Sequence, residues 1–399
     1  MGKKKLGLLA KKKINKNINS AISWLVQSGI QNVNYERTKD YGAFNAWYDT
    51  KLKKYSYLYS EITGYLITFM IYNYKITKKK KYLKSAELSA DWLINNAQHS
   101  EGGFKCLFLI NKKLEYKKKE NQVYSFDNGV IINGLINLYK VTKKKKYLIS
   151  AKKSANFIIS RLITKNFKLR PVYDLGKKKF IRDQNQWSLV PGAYHSKVSM
   201  GLLNLYSTTQ ISKYLKFSKK ILNIYLNSQK KNGEFKSTKH STNFHPYCYS
   251  LEGYWACGKY LKNKKYIDSS LLGTKWLIEI ININGLPPRI KYKDKLNYFE
   301  RVDILSQTLR LIIIHLNSIK IDKILSYKVN RLIKNIISNQ YLNNKSIKIR
   351  GGFSWGKKSN GEDTKNVNSW VTAFALQSLY IFSDKRALRI LNKNPFYLV

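Results

Sequence analysis

The chain has 399 residues, 74 of them Lys or Arg against 23 Asp or Glu, for a formal net charge of +51. Thirty Tyr and eight Trp supply a large apolar core. Three cysteines, Cys106, Cys248 and Cys257, show neither a disulfide framework nor metal-ligand spacing, which suits a reducing compartment and a cytoplasmic setting.

The charge alone does not make a nucleic-acid binder. The Lys excess comes with an excess of Ile, Asn and Tyr, the residues of AT-rich codons, and no RNP, helix-turn-helix or zinc-finger pattern accompanies it. The main runs, Lys78–Lys81 and Lys143–Lys146, fall at equivalent turns, where Lys is a solvated residue. No specific nucleic-acid partner is expected. Residues 1–12 read as a basic, flexible tail whose apolar stretch, Leu6–Ala10, is too short for a signal-peptide core. No run approaches the roughly 18 apolar residues of a membrane span.

A helix is expected over Ile14–Gln27. From Ser60 the chain then repeats a helical hairpin. Ser60–Leu93 and Ser125–Ile158 match along their length: Gly64 falls on Gly129, one Lys-rich turn on the other, and Tyr82-Leu83 on Tyr147-Leu148. A self-match at fixed period marks a repeat architecture. Weaker copies cover Tyr194–Gln229, Tyr249–Ile280 and Val302–Gln340. The last first-helix is Asn368–Ser383, its partner either the short helix from Lys385 or the N-terminal helix. Second helices end in corners that carry a Gly-x-Phe: Trp24…Gln27…Gly42-Ala43-Phe44, Trp92…Gln98…Gly102-Gly103-Phe104, Tyr225…Gln229…Gly233-Glu234-Phe235 and Gln340…Gly351-Gly352-Phe353. Such glycines end helices in the left-handed conformation, so the corners read as structural.

First helices are apolar nearly all round, which requires burial, while second helices are polar on one face. Inner helices ringed by outer helices make an all-α, closed (α/α)6 toroid of six hairpins, forming one domain over residues 1–399. An open solenoid would show the same pattern, but both chain ends carry half-unit material that can complete one ring.

In such a ring the tight turns lie on one face and the longer loops on the other. The loop face collects the unusual polar residues. Asp127 opens an inner helix, as a cap or a working carboxylate. Its repeat partner is Ile62, and Glu61 matches Phe126. Glu252 lies one turn inside an apolar helix, where an acid needs a partner or a raised pKa. His195 and His245 precede consecutive inner helices and suit acid–base work near neutral pH. Tyr249 stands beside them as a further catalytic candidate. Trp187, Tyr194, Tyr247, Arg301, Asp303, Gln307, Arg350, Asn368 and Trp370 are the expected substrate-binding residues, the aromatics for stacking on sugar rings and the arginines for clamping an anion. No metal or cofactor is expected.

The order Phe126-Asp127-x-Gly129, Tyr194-His195, His245-x3-Tyr249-x2-Glu252-Gly253, Arg350-Gly351-Gly352 and Asn368-x-Trp370 resembles a six-hairpin toroid group similar to six-hairpin glycosidases, over roughly Tyr59 to Tyr380. The resemblance implies a carbohydrate-active protein of surface-polysaccharide metabolism, working as a glycoside hydrolase, sugar epimerase or lyase on a glycan, neutral or anionic, or on a uronic-acid-containing sugar. For hydrolysis the expected pair is Asp127 with Glu252 or Asp303. Two alternatives remain open: a terpene-cyclase or prenyltransferase-like toroid, suggested by the Gln…Gly-x-aromatic corners but lacking an Asp-rich cluster, and a non-catalytic glycan-binding ring.

Overall fold

The computed structural model describes residues 11–33, 38–108 and 119–399, with the side chains of 11–13 excepted. Helix α1 spans Lys11–Gln27. Four hairpins follow, α2 Ser60–Thr77 with α3 Lys80–Trp92, α4 Ser125–Thr142 with α5 Lys145–Phe157, α6 Ser196–Thr209 with α7 Ser212–Leu226, and α8 Phe244–Leu261 with α9 Lys264–Ile280. Then come α10 Val302–Ile314 with α11 Lys323–Ser338, α12 Ser369–Ser383 and the short α13 Lys385–Lys393. Of the expected basic tail, residues 1–10 lie outside the described part, and Lys11 already begins a helix.

The even-numbered helices form the inner ring. Each packs on the next, and α12 packs on α2, so the ring is closed rather than an open solenoid. The outer partner of α12 is α1, completing the sixth pair, while α13 packs beneath α12 and α2. Burial follows the two sequence patterns. Helix α4 buries every residue from Ser125 to Leu138. Helix α3 buries Tyr82, Ser85, Ala86, Ser89, Ala90 and Trp92, one helical stripe.

Glycine sets how closely the inner helices approach. A Cβ on Gly129 would lie 2.6 Å from the Cα of Val198, and one on Gly201 would lie 2.2 Å from the carbonyl oxygen of Gly129. Only glycine lets α4 and α6 meet backbone to backbone, which is why Gly recurs at this point of the repeat. At the corners glycine has a second task. Gly102 has φ +104°, and a Cβ there would stand 2.6 Å from the carbonyl oxygen of Lys153 on the next outer helix.

Each corner is stitched to the next outer helix by one glutamine. Gln98 Nε2 donates to Gly102 O and to Ser150 O, and Ser150 Oγ returns a bond to Gln98 Oε1 at 2.8 Å. Gln229 makes the same three bonds with Gly233 and Ser269. Gln340 makes them with Gly351 and Asn17, so this stitch joins the end of α11 to α1 and shuts the ring. In the first corner the role falls to Gln31, which bonds Gly42, Ser85 and Ser89, and not to the expected Gln27. Gln27 is still on α1, whereas Gln31 lies just past its end, next to Gly42.

The longer loops of the loop face carry regular structure. Short antiparallel strands tie successive loops together, with Trp47 paired to Asn368, Val123 to Tyr173 and Asn243 to Ile290. On the tight-turn face the last residues close the ring's axis. Asn133 and Asn137 both donate to Phe396 O, Gln377 Nε2 donates to Tyr397 O, and Leu398 and Val399 are buried. Among the described residues the ring is therefore a cup, open where the inner helices begin. Among the described residues no helix is long and apolar enough to cross a membrane.

Candidate active site

The cup holds a cavity of about 420 Å³, lined by the first turns of the inner helices and the loops that feed them. Aromatic rings dominate its wall: Tyr57, Tyr59, Phe126, Trp187, Tyr194, Tyr249, Trp355 and Trp370 are among the lining residues. Two carboxylic acids, Glu61 and Asp127, and one imidazole, His245, face the same space.

Glu61 is the second residue of α2 and Asp127 the third of α4, each within the first turn of an inner helix. The helix dipole favours the charged carboxylate there. Burial opposes it and wins at both. Desolvation raises the Glu61 carboxyl from 4.5 to about 7, against a hydrogen bond from the Tyr59 hydroxyl. Asp127 is pushed well above the usual carboxylate range, first by burial and then by the charge of Glu61, with the Cys106 thiol and Lys119 opposing. Its Oδ2 is buried with no hydrogen-bond partner. An oxygen that is buried, unpaired and at a cavity wall is placed to meet a ligand hydroxyl. At neutral pH Glu61 sits near half-ionisation, and its charge adds to burial in raising Asp127.

His245 begins α8, its backbone N–H capped by Asn243 Oδ1 at 3.1 Å. Its Nδ1 lies 2.8 Å from Gln307 Oε1 and 3.5 Å from Asp303 Oδ2. Gln307 turns its Nε2 toward Glu252 Oε2, 3.4 Å away, so its oxygen faces the ring and the proton belongs on Nδ1. Nε2 is left with its lone pair, and burial lowers the pKa to about 4, so the ring is neutral across the physiological range. Tyr249 braces His245 with ring centroids 4.5 Å apart and packs on Phe126 at 4.8 Å. Burial drives its hydroxyl pKa well up, which keeps it a neutral donor.

Arg301 lines the cavity but is clamped bidentately by Asp303, so its charge is already matched. Although burial opposes it, the Arg301 guanidinium and then His245 hold the Asp303 carboxyl at about 2. Asp303 also accepts from Trp355 Nε1 at 3.3 Å. It is a support behind the wall, not a second acid for Asp127.

Glu252 is corrected in the same way. It is fully buried below the cavity, 2.6 Å from Arg310 Nη2 and 3.2 Å from Lys197 Nζ, and both partners are buried too. Two cations occupy its oxygens. His195 also lies off the cavity. Its Nδ1 bonds Gly192 O at 3.1 Å and its Nε2 meets Ser125 Oγ at 3.0 Å, so both nitrogens are spent joining the start of α6 to the start of α4. Burial lowers its pKa to about 3.

Of the expected substrate-binding residues, Trp187, Tyr194, Arg301 and Trp370 line the cavity together with Asp127, His245 and Tyr249. The others do not. Tyr247 turns outward and donates to Gly233 O and Gly273 O. Gln307 stands behind His245, and Asn368 caps α12 through Val371 N. Arg350 is exposed at the Gly351 corner that packs against Ser20 of α1, on the outer rim.

The acid pair escaped the repeat comparison because its members are not equivalent: Glu61 aligns with Phe126, and Asp127 with Ile62. Adjacent helical positions point about 100° apart, and neighbouring inner helices are rotated enough that both acids reach one space. The signal available in the sequence was an acid in the first turn of each of two consecutive buried helices.

A sequence profile for glycosyl hydrolase family 76 matches residues 44–173, the stretch that contains Glu61 and Asp127. By sequence alone no curated protein matches the chain. Among solved structures, the cellobiose 2-epimerase of Bacillus thermoamylovorans B4167 superposes with a TM-score of 0.73 at 12% identity, covering 93% of this chain and 98% of that one. A D-mannose isomerase gives 0.71 at 12% identity, covering 94% and 97%. The unsaturated glucuronyl hydrolase of Bacillus sp. GL1 gives 0.64 at 10% identity, covering 92% and 96%. At these identities the likeness is one of fold, and the chain is a six-hairpin (α/α)6 toroid.

Proposed function

We propose that the cup is the active site of a carbohydrate-active enzyme of the glycoside-hydrolase type. One observation carries the reading: two carboxyls face one aromatic cavity, and burial raises the proton affinity of both, with the charge of Glu61 adding to it at Asp127. Glycoside hydrolysis uses such a pair. Asp127, protonated, delivers its proton to the leaving glycosidic oxygen. Glu61, once ionised, either activates water or attacks the anomeric carbon, and Tyr59 orients it. Trp187, Trp370 and Tyr249 offer faces on which sugar rings stack. The family 76 match over both acids supports the assignment.

His245 favours a second reading. A neutral imidazole with a free Nε2 at the cavity wall can take a carbon-bound proton, as epimerisation requires, and the fold is shared with a cellobiose 2-epimerase. Proton NMR of oligosaccharides incubated with the protein in D2O separates the two. New reducing ends that vanish in Asp127→Asn and Glu61→Gln support hydrolysis. Deuterium at C2 with unchanged chain length, lost in His245→Ala, supports epimerisation. Full turnover in all three variants refutes the site. Three buried, unpaired cysteines support a cytoplasmic setting, and surface-polysaccharide metabolism is the context this reading expects.

A further inference from the structure

We infer that a second cavity beside the cup binds an anionic unit of the same glycan, next to the unit being processed; the inference rests on the glycan reading above. The cavity measures about 480 Å³. Pro171 lines both cavities, so they adjoin there. The single-turn helix Trp187–Leu189 is the partition: Trp187 and Ser188 face the cup, and Leu189 faces the second cavity. A saccharide leaving the cup over Pro171 enters this space directly.

Its chemistry differs from that of the cup. The floor is apolar, with Phe180 and Leu169, and four cations stand around it: Lys168, Arg170, Arg182 and Lys239. None of the four forms an ion pair among the described residues. The only acid in the lining, Asp183, already accepts from the backbone of Asn185 at 2.8 Å. Asp183 offsets only one of the four charges, so the lining keeps a positive excess. A basic cleft is not unusual on a chain of this charge, but arginine is scarce here, eleven residues against sixty-three lysines. Arg170 is held rigidly, its guanidinium 4.0 Å from the centroid of Phe180, and its Nε is buried without a hydrogen-bond partner. A stacked guanidinium with an unused N–H is a preformed receptor for a carboxylate, phosphate or sulfate group. The Phe180 ring beside it offers a face to a pyranose.

Titration calorimetry with tetragalacturonate and with neutral mannotetraose, at low and at raised salt, tests the inference. Three variants are compared with the native chain: Arg170→Gln/Arg182→Gln in the cleft, Lys80→Gln/Lys145→Gln on the tight-turn face as a charge-matched control, and Trp370→Ala in the cup. The cleft variant is expected to lose about tenfold or more in affinity for tetragalacturonate at low salt and nothing for mannotetraose. The control is expected to bind both sugars as the native chain does, and Trp370→Ala to weaken both. Equal losses in the cleft and control variants mean bulk charge and overturn the inference. So does undiminished tetragalacturonate binding in the cleft variant, and if Trp370→Ala still weakens both sugars, the glycan reading survives. If neither sugar binds the native chain, or Trp370→Ala changes nothing, that reading falls and takes the inference with it. Unchanged circular dichroism confirms that each variant is folded.

Discussion

Glu61→Gln is the most informative single substitution. A carboxyl whose folded pKa exceeds its unfolded value keeps its proton longer in the native state. The associated stability is fully present below about pH 4.5 and is lost as pH rises to about 7. For Glu61 the rise from 4.5 to about 7 corresponds to about 3 kcal/mol lost over that window. Partial exposure of the side chain makes this an upper value. Glutamine keeps the shape and cannot ionise, so it escapes the loss. With an unfolding entropy of about 2 cal/mol/K per residue, 3 kcal/mol amounts to roughly 4 °C in a chain of this length. Differential scanning fluorimetry across pH 4 to 8.5 is the assay. The two proteins should melt together at pH 4, and Glu61→Gln should melt up to ~4 °C higher at pH 8.5. The same variant should lose about 10²-fold or more in glycan turnover. Coincident melting curves at every pH would refute the buried-acid argument. A stabilised variant with full activity would refute the role of Glu61 while leaving the electrostatics intact.

The native pH–rate profile should rise as Glu61 ionises near pH 7; a profile that is flat from pH 5 to 9 contradicts a working Glu61 carboxylate. Asp127→Asn should reduce turnover about 10²- to 10⁴-fold with unchanged helical circular dichroism. Glu252→Gln should act on stability instead, by about 3 kcal/mol or more in urea unfolding, because it leaves Lys197 and Arg310 buried beside a neutral group. Gly102→Ala should lower stability by at least about 2 kcal/mol, since the new Cβ meets the Lys153 carbonyl and φ stays positive.

The hairpin repeat was legible because its punctuation answers to local physics. Gly64 and Gly129 permit helix contact, and Lys78 and Lys143 take the left-handed conformation that ends each inner helix. The loop face followed from topology alone. What did not follow was depth and direction. Asp127 and Glu252 are both acids on inner helices, yet one sits in the first turn and the other nine residues in, so one meets the cup and the other the ionic core. Whether a histidine at a helix start opens to the cavity depends on neighbours far away in sequence: Ser125 covers His195, while Gln307 leaves one nitrogen of His245 free. The partner of α12 was open to two readings because α1 lies at the far end of the sequence and packs on α12 only once the ring closes.

That same closure governs how the chain is made. Helix α1 buries Ile14, Ile18, Ala21, Ile22 and Leu25, and it packs on α12. At translation rates of about 5–20 residues per second, α1 emerges roughly half a minute before its partner exists. Through that interval its apolar stripe has only water, the unfinished ring or a chaperone to rest on. Native closure thus waits for the synthesis of α12, and a newborn chain stalled before it leaves the apolar stripe of α1 without its native partner.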